Sequence, residues 1–373
     1  MSNRHEAWDL KQMQDLPLEA KIMMTKARIQ VWYESWTRFE IHNKNTGKIR
    51  FITMDTRDQF AEPKLKDGEF IKTTQDGQVY VSFSGGKDST VLKHIVDSMY
   101  DVPAVFVNTG LEYPEIQQFV RRIQKGEFDC FNSNVEIVRP EMRFDEVLKT
   151  YGYPVISKEV ARAVHYAKKT GTKSSDYYLQ KFNGELMYEG RKSPYNHEKW
   201  KFLLDADFEI SSFCCDVMKK RPAKKFGKET GRKPIVGTMA SESRLRYQKW
   251  VQHGCNAFDS SSPISSPMSF WTEQDILEYI RKYNVPYCSV YGDIVEQDEG
   301  LKTTGCSRTG CTFCMFGCHL DKGENRFQKL KKTHPKQYEY CIGGGEMVDG
   351  KWQPNKEGLG LGKVLDYINV KYD

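Results

Sequence analysis

The chain has 373 residues, enough for a full hydrophobic core and for two or three domains. Charged residues make up 28% of it, and no apolar run approaches the roughly 18 residues that a membrane span needs, which argues against a membrane-spanning protein. The formal net charge of +6 is mild, so it permits a nucleic-acid partner without indicating one.

The cysteine content indicates metal or redox chemistry. The first residues, Met1 to Glu6, lack the apolar segment of a signal peptide, so we expect a cytoplasmic protein. Ten cysteines in such a protein are expected to be reduced thiols, because the cytosol is a reducing compartment. Six of them fall in two tight groups, which is typical of ligand sets rather than of scattered core residues.

The N-terminal region is predicted to hold a helix and a small strand. The helix runs from Asp15 to Trp36, with Asp15 as its N-cap and Pro17 in its first turn. Its apolar residues recur at helical spacing, which favours a helix packed on the main domain over one that binds a partner. A strand is predicted from Lys48 to Met54, followed by a polar connector from Glu62 to Gln78 that contains a domain boundary.

A glycine-rich turn then joins a buried strand to a helix. Val79, Val81 and Phe83 alternate as a strand, and a helical pattern begins at Thr90. Between them the glycines admit an anion close to the backbone, and the start of the helix supplies positive potential. The turn is not a Walker A loop, since Gly-x-x-x-x-Gly-Lys-Ser/Thr is absent. We expect phosphate to bind to its residues, Ser84-Gly85-Gly86-Lys87-Asp88-Ser89.

Three further strands are predicted at Val102 to Val107, Asn134 to Val138 and Pro234 to Gly237, with a helix from Glu115 to about Lys125. This alternation indicates an α/β fold with a doubly wound, mostly parallel sheet, in which ligands lie beyond the carboxyl ends of the strands. The predicted divisions are an N-terminal helix and strand region (1–75), a nucleotide-binding domain (76–285) and a C-terminal Cys-rich segment that completes a metal site (286–373).

These motifs resemble those of known enzyme families. The turn resembles the pyrophosphate loop, Ser-Gly-Gly-Lys-Asp-Ser, of the PP-loop ATP pyrophosphatases, which have an adenine nucleotide alpha hydrolase-like fold and split ATP between its α and β phosphates. The segment from Asn108 to Glu115 and the motif Glu242-Ser243-Arg244-Leu245-Arg246 resemble segments of the phosphoadenosine phosphosulfate reductase family. The similarity spans roughly residues 76 to 320.

The resemblance implies which residues would bind the nucleotide. In the reductase family the segment after the second strand holds the adenosine, and the pyrophosphate loop holds the phosphates. The catalytic residues that it implies are Lys87, Asp88 and Ser89. The nucleotide-binding residues that it implies are Ser82, Ser84, Gly85, Gly86, Lys87, Asp88, Ser89, Asn108, Thr109, Gly110 and Arg244.

Two stretches could contact a polyanion. Between Lys158 and Lys201 the chain has no clear period, and its interleaved basic and aromatic residues are compatible with a solvated insertion or with base stacking. The run from Lys219 to Arg232 is denser in basic residues, with only Glu229 opposing it. Because that run directly follows a cysteine pair, polyanion binding is as good an interpretation there as a solvated face.

A Cys-Cys pair and a Cys-x-x-Cys pair together supply four soft ligands. The arrangement resembles the ligand set of the four-iron, four-sulfur (4Fe-4S) cluster in adenylylsulfate reductases. Zinc and plain reduced thiols are the alternatives, although adjacent cysteines suit tetrahedral zinc poorly. Cys306 or Cys318 could replace one ligand. The ligands that the resemblance implies are Cys214, Cys215, Cys311 and Cys314.

The other cysteines have weaker signals. Cys130, Cys255 and Cys288 stand alone and are expected to be small core residues. The reductases carry a catalytic cysteine near the C-terminus in Glu-Cys-Gly-Ile/Leu-His, but the residues around Cys341 match this pattern only faintly. We therefore do not predict a catalytic role for Cys341. The glycine-rich stretch 343–362 is expected to form flexible linkers around a short helix.

Three functions remain open from the sequence. The first is a PP-loop ATP pyrophosphatase that adenylates an acceptor for sulfur transfer, because Lys87 and Asp88 are intact, whereas sulfonucleotide reductases typically alter this part of the loop. The second is a reductase of adenylyl sulfate or phosphoadenylyl sulfate, which the family resemblance and the cysteines favour. The third is a nucleotide-binding sensor module. The first function, which combines an intact pyrophosphate loop with a cysteine-bound cluster, also resembles that of the ATPase component of DNA phosphorothioation systems and of the cluster-dependent thiolases of tRNA.

The first function implies a set of cofactors and partners. It requires ATP and Mg²⁺, with Lys87 and the ion, held with Asp88, neutralising charge on the leaving group. A 4Fe-4S cluster, or zinc as the alternative, would occupy the cysteines. The expected partners are an adenine nucleotide, a nucleic acid (DNA or tRNA) and a sulfur-donor protein such as a cysteine desulfurase, with no membrane partner.

Overall fold

The computed structural model describes residues 5–58, 60–169 and 171–373. In that part of the chain no helix is both long and apolar enough to cross a membrane. The α-helices are α1 (Ala7–Gln14), α2 (Leu18–Glu34), α3 (Lys87–Asp97), α4 (Pro114–Gln124), α5 (Phe144–Tyr151), α6 (Lys158–Ala167), α7 (Lys173–Asn183), α8 (Arg221–Thr230), α9 (Arg244–His253), α10 (Glu273–Tyr283), α11 (Arg326–Thr333), α12 (Pro335–Ile342) and α13 (Leu361–Tyr367).

The strands form one six-stranded sheet, one three-stranded sheet and three hairpins. They are β1 (Trp36–Asn43), β2 (Ile49–Asp55), β3 (Glu69–Gln75), β4 (Val79–Phe83), β5 (Ala104–Val107), β6 (Val135–Val138), β7 (Met187–Tyr188), β8 (Arg191–Lys192), β9 (Lys233–Val236), β10 (Asn256–Ala257), β11 (Ile264–Ser265), β12 (Ile294–Gln297), β13 (Gly300–Thr303), β14 (Glu346–Val348) and β15 (Lys351–Gln353).

The chain folds into two compact units that are interleaved along the sequence. The first unit comprises Met1–Asn108, Tyr113–Arg139 and Pro222–Thr309. The second unit comprises Thr109–Glu112, Pro140–Arg221 and Gly310–Asp373. The division into three consecutive segments at residues 75 and 285 stays a prediction, and segments of the first unit run across both of those boundaries.

The first unit is built on the mostly parallel sheet that the sequence predicts. Its strand order is β10-β11-β9-β4-β5-β6, and β4 pairs in parallel with both β5 and β9. Only β10 pairs antiparallel, with β11 at one edge. The predicted strands at 79–83, 102–107, 134–138 and 234–237 correspond to β4, β5, β6 and β9, which confirms the α/β fold class.

The central strands are apolar because both of their faces are covered. Val79, Val81 and Phe83 of β4 are buried, as are Val91, Leu92 and Ile95 of α3 that pack in the same core. Strands that are covered on both faces have near-continuous apolar sequences in parallel sheets. Burial of this strand and helix fixes the turn that joins them at the carboxyl edge of the sheet.

The N-terminal helix differs from the prediction at both ends. Instead of one helix from Asp15 to Trp36, the structure has α1 and α2, with Asp15 as the C-cap of α1 and Pro17 as the N-cap of α2. Trp36 begins β1. The helical spacing in α2 was read correctly, since Ile22, Ile29 and Trp32 are buried in the core of the first unit. The β-branched and aromatic residues after Trp36 favour a strand instead.

The predicted connector from Glu62 to Gln78 is wrong in part, because it contains β3. This strand pairs antiparallel with β1, which pairs with β2 on its other side. Only Phe70 and Ile71 are apolar in β3, so its composition resembles a polar loop. The backbone pairing with β1 supplies the hydrogen bonds that stabilise it.

The second unit contains helices that the sequence did not indicate. The stretch 158–201, which has no clear period in sequence, forms α6, α7 and the β7–β8 hairpin. Ser157 caps α6 and Thr172 caps α7 through their side-chain oxygens. Residues 343–362, expected as flexible linkers, include the β14–β15 hairpin, and α13 follows from Leu361.

Candidate nucleotide and cysteine sites

The glycine-rich turn is held in shape by its own hydroxyls. Ser84 Oγ lies 2.9 Å from Ser89 Oγ, and the Ser84 backbone N–H donates to Ser89 Oγ at 3.2 Å. Ser89 Oγ in turn donates to the carbonyl of Gly86 at 3.0 Å. Lys87, Asp88 and Ser89, predicted as part of the turn, already form the first turn of α3. The turn therefore places the N-terminus of α3 at the carboxyl edge of the sheet, where anions bind readily.

The two glycines serve different purposes. Gly85 has φ +71°, and a Cβ there would lie 2.8 Å from Ile116 Cγ2. Only glycine fits such a position without strain. Gly86 has an ordinary φ, but a Cβ on it would point toward the hydroxyls of Tyr291 and Thr309, at 3.2 and 3.6 Å. Its lack of a side chain leaves the backbone open beside those hydroxyls.

Lys87 is buried and held by a carboxylate. Its side chain is 4% exposed, and its Nζ donates to Glu273 Oε1 at 2.6 Å and to the carbonyl of Ser307 at 2.8 Å. Glu273 is the first residue of α10 and is half exposed. The ammonium group is therefore positioned by α10 and by the segment before the Cys-x-x-Cys motif, rather than extended into solvent.

Two arginines share a carboxylate near Asp88. Glu242 accepts hydrogen bonds from the backbone N–H of Met239 at 2.8 Å and from Arg308 at 3.1 Å, and it also pairs with Arg246. Burial raises the pKa of Asp88, while the charges of Lys87 and Arg308 oppose that rise. The cations around Asp88 are therefore held by carboxylates, Lys87 by Glu273 and both arginines by Glu242.

The predicted nucleotide-binding residues fall in several different elements. Ser82 lies in β4 and the residues 84–89 follow it, whereas Arg244 is the first residue of α9 and is exposed. Arg246, the last residue of the motif Glu242-Ser243-Arg244-Leu245-Arg246, interacts electrostatically with Asp88. Asn108 directly follows β5 in the first unit, while Thr109 and Gly110 belong to the second unit.

The segment after β5 is tied to the Cys-x-x-Cys loop within the second unit. Glu112 accepts hydrogen bonds from the backbone N–H of Thr109 at 3.0 Å and from its hydroxyl at 2.7 Å. The backbone N–H and the hydroxyl of Thr312 both donate to the carbonyl of Leu111, at 2.8 and 3.1 Å. The two motifs, which lie far apart in sequence, are thus joined directly.

The four predicted metal ligands lie close together in the second unit. Cys214 Sγ and Cys215 Sγ are 4.0 Å apart, and Cys214 also interacts electrostatically with Cys314 and Cys311. The hydrogen bond from Cys214 lowers the pKa of Cys215 to about 6, with help from the charges of nearby lysines. Burial raises the pKa of Cys311 to about 11.

The geometry was compared with that of metal sites. In the part of the chain that the structure describes, no group of three or more His, Cys, Asp or Glu side chains is arranged to hold a metal ion. In a 4Fe-4S cluster each thiolate binds a different iron. The donor set of four neighbouring thiols fits such a cluster chemically.

Lys219 lies beside the cysteine site. The Lys219 ammonium lies 3.9 Å from Glu112 Oε1, and although burial opposes it, the neighbouring Cys311 and Glu112 raise the pKa of Lys219. Lys219 lies in a π-helical turn, Asp216–Lys220, directly after the Cys-Cys pair. Such turns are frequent at functional sites.

Arg326 holds the loop that contains Cys314. Its Nη1 donates to the carbonyls of Cys314 at 3.2 Å and Phe316 at 3.0 Å, and its Nε and Nη2 both donate to Asp321 at 2.9 Å. The guanidinium has the fork geometry that this double recognition needs. Residues beyond the Cys-x-x-Cys motif thus complete the site.

The remaining cysteines divide by burial. Cys255 and Cys288 are buried, as predicted, but Cys130 is exposed, so its prediction as a core residue is wrong. Cys130 follows the exposed Asp129 after the end of α4, where the chain turns at the surface. Cys341 is fully buried, and burial raises its pKa, which leaves its thiol poorly suited to attack a ligand. Cys306 is half-buried and Cys318 is buried.

Several residues of the site were missed from the sequence. Glu273 and Tyr291 lie far from Lys87 along the chain, and no local pattern predicts that they contact it. The pattern Thr272-x-x-Asp275 does indicate a helix start, which the structure confirms as a capping box. Arg246 ends the motif Glu242-Ser243-Arg244-Leu245-Arg246, and its place in that motif is the signal that points to it.

The chain was compared with known proteins. The model of a family described as the phosphoadenosine phosphosulfate reductase domain matches residues 78–199 and 192–316. Among solved structures, the chain is similar to the phosphate complex of phosphoadenylyl-sulfate reductase from Candida auris, with 16% identity and a TM-score of 0.32 over 57% of this chain and 75% of that one. The search of curated proteins gave no match.

Proposed function

The chain belongs to the phosphoadenosine phosphosulfate reductase domain family, and on this premise we propose that it is a sulfonucleotide reductase. The observation that carries the proposal is the extent of the family match, which includes both the glycine-rich loop and the Cys-x-x-Cys motif. The substrate would be adenylyl sulfate or its 3′-phosphorylated form, with its phosphate on the N-terminus of α3.

The proposed reaction reduces the sulfate group with two thiols. Adenylyl sulfate and two thiols give AMP, sulfite, one disulfide and two protons, so that sulfur gains the two electrons that the thiols lose. Because Cys341 is fully buried, we assign both thiols to an external dithiol reductant. The cationic groups around Asp88 would stabilise the AMP phosphate as it leaves.

A second function is favoured by the loop itself. Lys87 is retained and held by Glu273, and Asp88 is retained in the first turn of α3. These residues suit an ATP pyrophosphatase that adenylates an acceptor, such as a nucleic acid, for sulfur transfer. Asp88 would hold Mg²⁺ there, and the ion would neutralise charge on pyrophosphate.

The cysteine site is proposed to hold a 4Fe-4S cluster in either case. Cys214, Cys215, Cys311 and Cys314 would be its ligands, and the cluster would supply redox or sulfur-binding chemistry. Anaerobically purified protein is then expected to be brown and to contain iron and sulfide. A colourless, zinc-containing preparation would contradict the cluster.

One assay separates the two functions. The protein is incubated with adenylyl sulfate and a dithiol, with the 3′-phosphorylated substrate and the dithiol, and with ATP and Mg²⁺. If the protein is a reductase, sulfite is expected together with AMP from adenylyl sulfate, or with adenosine 3′,5′-bisphosphate from the 3′-phosphorylated substrate. Pyrophosphate and AMP from ATP, with no sulfite from the sulfonucleotides, would replace the reductase with the pyrophosphatase.

Lys87→Ala tests the loop in the same assay. We expect it to lower kcat/KM by about 100-fold, because a buried cation that faces the phosphates is lost. Lys48→Ala removes an exposed lysine from the same unit and should leave the rate unchanged. Full activity of Lys87→Ala would show that the loop is not the nucleotide site.

A further inference from the structure

A basic cleft lies between α4 and β6 in the first unit, outside the loop and its partners. It consists of two adjoining cavities of about 490 and 520 Å³ that share Arg121 and Lys125. The cavity of about 490 Å³ is also lined by Asn108, which follows β5, and by Arg139, which follows β6. The backbone N–H of Asn108 donates to the carbonyl of Val138 at 2.8 Å, so Asn108 and Arg139 lie together at the carboxyl edge of the sheet.

The cations of this cleft are not compensated. Arg121, Lys125 and Arg139 are exposed, and within the described part of the chain their side chains form no hydrogen bond or ion pair. The one carboxylate among the lining residues, Glu127, is paired with Arg122 Nε at 2.7 Å. Three positive charges thus face one concave surface without a protein counter-charge.

The arrangement fits a chain of phosphates better than a single one. Arg121 and Lys125 are one helical turn apart, about 6 Å along α4, which is comparable with the distance between successive phosphates on one strand. The two cavities together far exceed the volume of one phosphate group. The two cavities are shallow and wide open to solvent, so a single strand can lie along α4 with its phosphates against these cations.

We propose that this cleft binds the sugar-phosphate backbone of single-stranded nucleic acid. None of the described residues that line the cleft is aromatic, so contacts to phosphates would position the strand without reading its sequence. This inference goes beyond the proposed reductase and does not depend on which nucleotide the loop binds. Failure of the sulfite or pyrophosphate assay would leave the oligonucleotide test unchanged.

The test measures binding of a fluorescein-labelled oligothymidylate of about 15 nucleotides by anisotropy over a range of salt concentrations. The cleft variant is Arg121→Gln, Lys125→Gln and Arg139→Gln combined. Its affinity should fall at least about tenfold, and the slope of log affinity against log salt should fall by about 2, since three phosphate contacts are lost.

A matched control removes the same charge elsewhere on the first unit. Lys44→Gln, Lys48→Gln and Lys64→Gln combined replace three exposed lysines of the small sheet region and should change affinity less than about twofold. Thermal melts of both variants check that they remain folded.

Four results would overturn the proposal. The first two are that the unchanged protein does not bind the oligonucleotide, and that the two variants lose the same affinity. The third is that a duplex of the same length binds more tightly. The fourth is that inorganic pyrophosphate displaces the labelled strand as effectively, per phosphate group, as unlabelled oligonucleotide does. The last of these would indicate a small-anion site instead.

Discussion

At the scale of single residues, the glycine-rich loop depends on groups that are held by other residues of the protein. Lys87 is fixed by Glu273 and the Ser307 carbonyl, and Ser84 and Ser89 fix each other. Groups placed before the ligand arrives lose little entropy on binding, which makes such contacts effective.

Gly85→Ala should destabilise the protein by about 2 kcal/mol, because alanine at positive φ is strained and its Cβ would clash with Ile116 Cγ2. Urea unfolding measures the loss. Gly47→Ala is the control, since Gly47 has φ +68° with nothing within 4 Å of its Cβ position, and it should cost only about 1 kcal/mol. Equal costs for the two variants would show that Ile116 does not constrain the loop.

Asp88 should make the stability depend on pH. Burial raises the pKa of Asp88, so the folded state favours the protonated form, and this stabilisation is present below the usual pKa of 3.8 and is lost as the pH rises through the folded value. Asp88→Asn should therefore melt at a higher temperature than the unchanged protein at pH 7 and at the same temperature below about pH 4. The exposed Asp298→Asn should leave the melting profile unchanged at both pH values. A lower melting temperature of Asp88→Asn at pH 7 would contradict the expected burial cost.

At the scale of elements, short segments beyond the recognised motifs hold the sites in place. α10 brings Glu273 to Lys87, and α11 brings Arg326 to the carbonyls of Cys314 and Phe316. Glu273 and Arg326 are the first residues of α10 and α11, so the start of each helix fixes the position of the side chain.

Arg326→Met should disorder the Cys314 loop, because two carbonyls and Asp321 lose their partner. We expect iron and sulfide per chain after anaerobic reconstitution to fall several-fold, and Cys314 to be alkylated faster in the metal-free protein. Lys329→Met, at an exposed position of the same helix, should have no effect on either quantity. Arg326→Lys should restore metal content only partly, since lysine cannot form the fork. Unchanged alkylation of Cys314 would rule out a positioning role.

At the scale of the whole molecule, the N-terminal helices are part of the first unit although they precede the family match. Lys21 of α2 donates to both oxygens of Asp275 in α10 at 2.7 Å, and the two residues are 2% and 7% exposed. Trp271 Nε1 donates to the hydroxyl of Thr25, which also lies in α2, at 2.9 Å. The helix that contains Glu273 is therefore anchored by α2.

Lys21→Met should cost about 3 kcal/mol, since it leaves the Asp275 carboxylate buried and unpaired. Combining it with Asp275→Asn should recover part of that loss. The exposed pair of Lys282 and Glu19 also joins α10 to α2, so Lys282→Met is the matched control and should have little effect. Urea unfolding followed by tryptophan fluorescence gives all three values. A small loss for Lys21→Met would mean that α2 is not anchored by this pair.

Much of the framework was predictable because its signals are local. The strand, turn and helix around Gly85 and the central strands follow from periodicity and glycine placement, and the proximity of the four cysteines follows from the resemblance. Contacts such as Lys87 with Glu273 join residues far apart in sequence, and β3 depends on pairing with β1 rather than on its own composition. Such features are decided by tertiary structure, which no local pattern records.

The π-helical turn at Asp216–Lys220 limits how this region can vary in length. It accommodates one residue more than a regular helical turn would, and that extra residue sets the direction in which Lys219 projects toward Cys311. Removing a single residue here, for example Met218, would restore regular winding and rotate Lys219 by about 100° around the axis. Insertions and deletions should therefore be tolerated in the turn between β14 and β15 but not between Cys215 and Lys219.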